Sequence, residues 1–135
     1  MLAELEVRSR QRTEFVDITD QVARLAAGSG ARDGVAVVYT PHTTAAVTIN
    51  ENADPSVMAD MAHALDKIAP WSDPTYTHSE GNSAAHVKSS LVGCSVMVPF
   101  AGGRLSLGTW QGIFFCEFDG PRSRKVLVQI IGGGL

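Results

Sequence analysis

The 135-residue chain has little cysteine, little net charge and no long apolar run. Its two cysteines, Cys94 and Cys116, are far apart and lie in apolar, strand-like stretches. They exclude a four-thiolate zinc site and read as small core hydrophobes. No run of eighteen apolar residues occurs, so no membrane-spanning helix is expected. The opening MLAELEVRSR alternates apolar with charged residues and lacks the apolar centre of a signal peptide. Basic residues are not in excess: eleven Lys and Arg face fourteen Asp and Glu, for a net charge of −3. Nucleic-acid binding, which draws most of its affinity from neutralising phosphates, is therefore not expected. What is present is a composition 44% hydrophobic and 19% charged, enough apolar matter for a packed core. The length suits one domain, taken as residues 1–135, cytoplasmic and without a membrane partner.

Leu5 and Val7 alternate with charges over Leu2 to Arg8, and Glu14 to Ile18 repeats the pattern, so two strands are expected with a hairpin turn over Ser9 to Thr13. Thr19 or Asp20 starts a short helix with Val22, Leu25 and Ala26 inward, ended by Gly28-Ser29-Gly30. Val35 to Thr40 and Thr43 to Ile49 read as strands separated at Pro41. Asp54-Pro55 opens a helix running to about Ala69, with a stripe of Val57, Met61, Leu65 and Ile68 and with His63 on the polar side. Asn82 or Ser83 opens another helix, with Ala84, Val87 and Leu91 inward and Gly93 at its end. Strands are expected over Cys94 to Phe100, Arg104 to Phe118 and Lys125 to Ile131. The predicted class is α+β, an antiparallel-rich mixed β-sandwich with two to three short helices.

Polar residues gather in three places. The first holds His42, Thr44, Thr48 and Asn50 on one strand face, followed by Glu51, Asn52 and Asp54. A polar face beside an apolar run is either wet or lines a pocket. The second holds Tyr76, His78, Glu80, Gly81, Asn82 and His86. Free N–H groups at a helix start from Gly81 to Ser83 suit a phosphate or carboxylate. His42, His78 and His86 together make a ligand set suited to Zn²⁺, although the spacing matches no compact zinc signature. The third runs from Arg104 through Gly108-Thr109-Trp110-Gln111-Gly112 to Glu117 and Asp119. On a regular strand Thr109 and Gln111 interrupt an apolar face, a placement that needs polar partners. Trp110 reads as a core or interface anchor, and Asp119 to Arg122 as a hairpin turn with Arg122 and Arg124 solvated.

The runs His42-Thr-Thr-Ala-Ala-Val-Thr-Ile-Asn-Glu-Asn-Ala-Asp-Pro55, Glu80-Gly-Asn-Ser-Ala-Ala-His86-Val-Lys-Ser-Ser90 and Gly108-Thr-Trp-Gln-Gly112 followed by Glu117 resemble the YjbQ-like family, also described as secondary thiamine-phosphate synthase. The resemblance covers nearly the whole chain. It implies a homotrimer with sites near subunit boundaries and a histidine-containing pocket for a divalent metal, zinc favoured, with magnesium or manganese as alternatives. It also implies a transferase joining a pyrimidine pyrophosphate to a thiazole phosphate as pyrophosphate leaves, a reaction that needs charge stabilisation on the leaving group. On this reading His42, His78 and His86 hold the metal, and His42, Glu51, Asp54, Thr109, Gln111 and Glu117 are the catalytic candidates. Glu80, Gly81, Asn82, Lys88 and Arg104 are the substrate and phosphate candidates. Two rival expectations stand beside it: a metal-dependent hydrolase of a small phosphorylated metabolite, and a trimer that binds a small ligand or metal without turnover.

Overall fold

The computed structural model describes residues 1–133. In chain order they form β1 (Leu2–Arg8), β2 (Glu14–Asp17), α1 (Thr19–Gly28), β3 (Gly34–Tyr39), β4 (Ala45–Glu51), α2 (Ser56–Ile68), α3 (Ser83–Val92), β5 (Ser95–Ala101), β6 (Arg104–Leu105), β7 (Gln111–Glu117) and β8 (Ser123–Gly132). Five strands pair in the order β1-β8-β3-β5-β6 and three in the order β2-β7-β4. The expected α+β sandwich is thus present, and every strand pair among the described residues is antiparallel, so the sandwich is not mixed.

Period-two alternation decides which residues enter the core. In β8, Arg124, Val126, Val128 and Ile130 are buried while Ser123 and Lys125 face out. Val126, Val128 and Ile130 meet Ala36 and Val38 of β3, Val98 and Phe100 of β5, and Ile113 and Phe115 of β7, with Val22 and Ala26 of α1 joining them. β7 lies in the middle of its sheet and is covered on both sides, so it reads as an unbroken apolar run rather than an alternating one. Its second face carries Phe114 and Cys116, which pack with Phe118, Ala46 and Ala85 under Met58 and Leu65 of α2. Burying a side chain of this size contributes about 1.5–3 kcal/mol.

The structure corrects several sequence expectations. β1 and β2 are not a hairpin: β1 pairs with β8 in one sheet and β2 with β7 in the other. The intervening residues are drawn across by the 119–122 turn, where Ser9 N–H donates to Arg122 O at 3.0 Å and Gly120 N–H to Arg12 O at 3.0 Å. The strand expected over Arg104 to Phe118 is two strands split by a turn, with Gln111 N–H bonded to Gly108 O. On α3 the inward residues are Ala84, Ala85, Lys88 and Ser89, while Val87 and Leu91 are exposed. Phe114 and Phe118 fill the space beneath that helix, where Ala85 meets them. The α2 stripe is likewise displaced, with Met58 and Leu65 inward and Ile68 exposed. Cys94 is exposed at the mouth of β5, and only Cys116 is a core thiol, its burial pushing the pKa up to about 12. Trp110 is 63% exposed and anchors no core. No helix among the described residues is long and apolar enough to cross a membrane.

Candidate functional site

At the end of the β4–β7 ladder where Ala45 pairs with Glu117, an ionic network is sealed inside the molecule. Glu117 is fully buried and ion-paired with Arg124, which is itself 3% exposed. Arg124 reaches Glu117 from β8 in the opposite sheet, with Nε donating to Oε1 at 2.8 Å and Nη2 donating to Oε2 and, at 2.8 Å, to Thr44 Oγ1. Ser9 Oγ donates to Glu117 Oε1 at 2.8 Å, and Asp119 N–H to Oε2 at 3.0 Å. Burial by itself would raise the Glu117 carboxyl. The bonds from Arg124, Asp119 and Ser9, with the charge of Arg124, outweigh it and hold the carboxyl below its ordinary value. Close approach here requires Gly120, because a Cβ at that position would meet Gln11 O at 2.3 Å and Ser9 Oγ at 2.6 Å.

His42 stands in front of this network. It belongs to the short non-strand segment between β3 and β4, held by Thr40 N–H donating to Cys94 O and by Phe118 N–H donating to Thr44 O. Its ring is fixed by Lys125 N–H, which donates to Nε2 at 2.9 Å. Partial burial lowers the imidazole pKa, and the charges of Arg124, Arg122 and Lys125 lower it further against the opposing pull of Glu117. The neutral form is therefore favoured, with Nε2 as acceptor and the proton on Nδ1. His42 walls three adjoining cavities of about 430–440 Å³ each. One of them brings His42 together with His78, Glu80, Asn82, His86, Asp119 and Arg122.

Within that cavity Asn82 is 7% exposed; its Nδ2 donates to Asp119 Oδ2 at 2.9 Å, and its Oδ1 is buried without any partner. Asp119 also takes a bond from Arg122 Nη2 at 3.1 Å, which aims the guanidinium at the same space. His78 and His86 meet edge to face with ring centres 5.2 Å apart. The ligand set of three imidazoles is not assembled: among the described residues no three His, Cys, Asp or Glu side chains are disposed to hold an ion. The physical reason is at His42, whose Nε2 lone pair is occupied by the Lys125 N–H while the proton on Nδ1 leaves no second lone pair for a metal.

The other candidates lie elsewhere. Of the catalytic candidates, only Glu117 shares the His42 end. Glu51 pairs with Gln111 six residues along the ladder from Ala45 and Glu117, ~20 Å away at ~3.4 Å per residue. Asp54 is spent on α2, its Oδ1 accepting Ser56 N–H at 2.9 Å. Thr109 is exposed in the turn, and Gln111 is exposed at the first position of β7 rather than buried on a strand face, with its Oε1 accepting Gly108 N–H. Of the phosphate candidates, Glu80 and Asn82 line the His42 cavity, and Gly81 lines a neighbouring one beside His78. Lys88 points to the opposite side of α3, into a cavity with Arg12 and Trp71. Arg104 is exposed on β6, at the edge of the five-stranded sheet. Sequence reasoning grouped Thr44 with His42 but missed Ser9 and Arg124, and placed Arg124 in solvent. The signal for Arg124 was its phase, which is that of Val126, Val128 and Ile130.

Comparisons with known proteins agree on kinship. The family model for the UPF0047 protein, YjbQ-like, matches residues 3–133. The UPF0047 protein YugU of Bacillus subtilis is 50% identical over 132 residues, 98% of this chain and 100% of that protein. The UPF0047 protein MJ1081 of Methanocaldococcus jannaschii is 52% identical, covering 98% of this chain and 95% of its own. A crystal structure of a family member from Clostridium acetobutylicum superposes with a TM-score of 0.93 at 52% identity, over 96% and 99% of the two chains. Another from Sulfolobus solfataricus, described as a YbjQ-like protein of unknown function, gives 0.94 at 32% identity over 98% and 97%. The chain belongs to the YjbQ-like UPF0047 family. The thiamine-phosphate synthase activity expected from the resemblance is corrected here: these relatives are named only as UPF0047 proteins or as proteins of unknown function, and none supports that activity.

Proposed function

We propose that the cavity in front of His42 recognises a small phosphorylated molecule that also carries a hydrogen-bond donor, and that His86 offers it an open ring nitrogen. The observation that carries this reading is the buried, unpartnered Oδ1 of Asn82. Leaving such an acceptor unpaired costs about 1–3 kcal/mol, and a ligand O–H or N–H placed there removes the penalty. Cations reach the same space: the charges of Arg124, Arg122 and Lys125 act on His42 against that of Glu117, and Arg122 lines the cavity beside Asp119 and Glu80. His42 contributes a neutral N–H donor from Nδ1, which can hold a phosphate oxygen without releasing a proton. His86 lines the same cavity beside His78, and among the described residues neither of its ring nitrogens has a hydrogen-bond partner, which leaves them open to the ligand.

A divalent ion, zinc by donor type, would find two imidazoles ready in His78 and His86, and the reading uses no step through it. A homotrimer belongs to the same proposal. It is supported by the outer face of the five-stranded sheet, where Met97, Ile131 and Tyr39 of β5, β8 and β3 are exposed on the same face at successive positions along the ladder.

Calorimetric titration with glycerol 3-phosphate, which has both a phosphate and hydroxyl donors, tests the site. Saturable binding is expected, weakened about tenfold or more by Arg122→Ala and by Asn82→Ala. Binding that both variants leave unchanged, or no binding in the parent protein, overturns the reading.

A further inference from the structure

A second cluster of charged groups lies on the far side of α3 from His42. Arg12 and Thr13 from the β1–β2 connection, Asp66 near the end of α2, Trp71 just beyond it and Lys88 of α3 wall a cavity of about 510 Å³. Lys88 is almost wholly enclosed, its side chain 4% exposed, yet the one carboxylate it meets, Asp66, is 62% exposed. A structural ion pair in a protein interior encloses both partners, as Glu117 and Arg124 do here. The Lys88 ammonium has three N–H donors, and Asp66 takes one of them. Arg12 faces the same space with its guanidinium 4.0 Å from the centre of the Trp71 ring. Stacking orients the guanidinium and leaves its N–H fork open, and among the described residues no carboxylate pairs with it. Two cations thus confront one half-solvated carboxylate around a cavity with an aromatic wall.

We infer that this cavity is a second anion site, in which Arg12 and Lys88 grip a phosphate group beside Trp71. Arg12 supplies the bidentate fork, and Lys88 a fixed point charge whose ammonium is already desolvated. The site is distinct from the His42 cavity and does not rest on the reading proposed for it. The cavity lying between them shares Trp71 with one and His78 with the other.

Trp71 makes the test direct, since the chain has two tryptophans and Trp110 is mostly exposed. In a Trp110→Phe background the emission of Trp71 reports on Arg12 above its ring. Titration with inorganic phosphate at constant ionic strength should give a saturable emission change. Arg12→Gln and Lys88→Met should each raise the midpoint about tenfold or more, and Arg122→Ala should leave it where it was. Lys88→Arg, which keeps the charge, should retain binding, and its thermal melt separates loss of charge from loss of packing. No saturable change, or one that persists in Arg12→Gln, overturns the proposal. A change abolished by Arg122→Ala and kept by Arg12→Gln also overturns it, and assigns the phosphate to the His42 cavity.

Discussion

The two ends of the β4–β7 ladder carry similar numbers of polar residues and treat them in opposite ways. At the Ala45–Glu117 end the polar groups are enclosed, paired across two sheets and held away from their ordinary protonation behaviour. At the Glu51–Gln111 end they are exposed and answer to their neighbours in sequence. Gln111 caps its own turn, Asp54 caps α2, and Glu51 N–H bonds the adjacent Asn50 Oδ1. The side-chain bonds that reach distant elements there are few and mostly at the surface: Asn52 Nδ2 to Asp17 Oδ2 at 3.1 Å, Asn50 Nδ2 to Met61 Sδ at 3.4 Å, and Ile113 N–H to Thr19 Oγ1 at 2.9 Å. A chemically suggestive motif therefore does not by itself mark a site. What separates the two ends is whether the fold removes water from the polar groups and supplies partners from distant elements.

That contrast can be broken or sharpened experimentally. The largest effect is expected at the enclosed end. Glu117→Ala leaves Arg124 buried without its anion, and Arg124→Ala leaves Glu117 without its cation; either should destabilise the fold by about 3–5 kcal/mol in urea denaturation. Equal losses from Glu51→Ala at the exposed end would abolish the distinction.

A smaller effect concerns acid. The Glu117 carboxyl is depressed in the folded protein, so the unfolded chain takes up its proton first as the pH falls. The stability it contributes is complete above the unfolded value of ~4.3 and is lost as pH falls from there through the lower folded value. Urea melts between pH 7 and pH 3 should lose stability in that window, and Glu117→Gln should flatten the slope. His42 works in the same direction at higher pH, because its lowered folded pKa makes the unfolded imidazole, at ~6.5, protonate first. An NMR titration of the His42 ring should give a midpoint below that value, and a midpoint above it would refute the neutral tautomer.

The smallest changes are expected at the exposed end. Glu51→Ala and Gln111→Ala should alter stability by no more than about 0.5 kcal/mol and leave glycerol 3-phosphate binding at the other end intact. Loss of that binding in either variant would mean that the two ends act together.

Much of the fold was legible because it depends on local chemistry. The Asp54-Pro55 start of α2 and the alternation of β1 and β8 appear where the sequence places them. The candidate site was legible in part. His42, His78, Asn82 and His86 do come to one cavity, whereas Thr109 was assigned to a strand that is in fact a turn, and Gln111, at the start of β7, is exposed rather than buried. That error came from extending one period back through Gly108. A Cβ at Gly112 would meet Asn52 Nδ2 at 2.5 Å, so its absence serves a close approach that strand periodicity does not register.

The sequence by itself determined where α2 begins, the alternation of β1 and β8, and that Arg124 shares the phase of the buried residues of β8. Only the tertiary structure decided that Glu117, from the opposite sheet, would meet Arg124, that β1 and β2 would part into different sheets, and that Lys88 would turn from the histidines toward Arg12. Periodicity assigns a side chain to a face, because the backbone repeat is local. The partner it finds there depends on how two sheets and a helix pack against one another, and that is set by the sum of all their contacts.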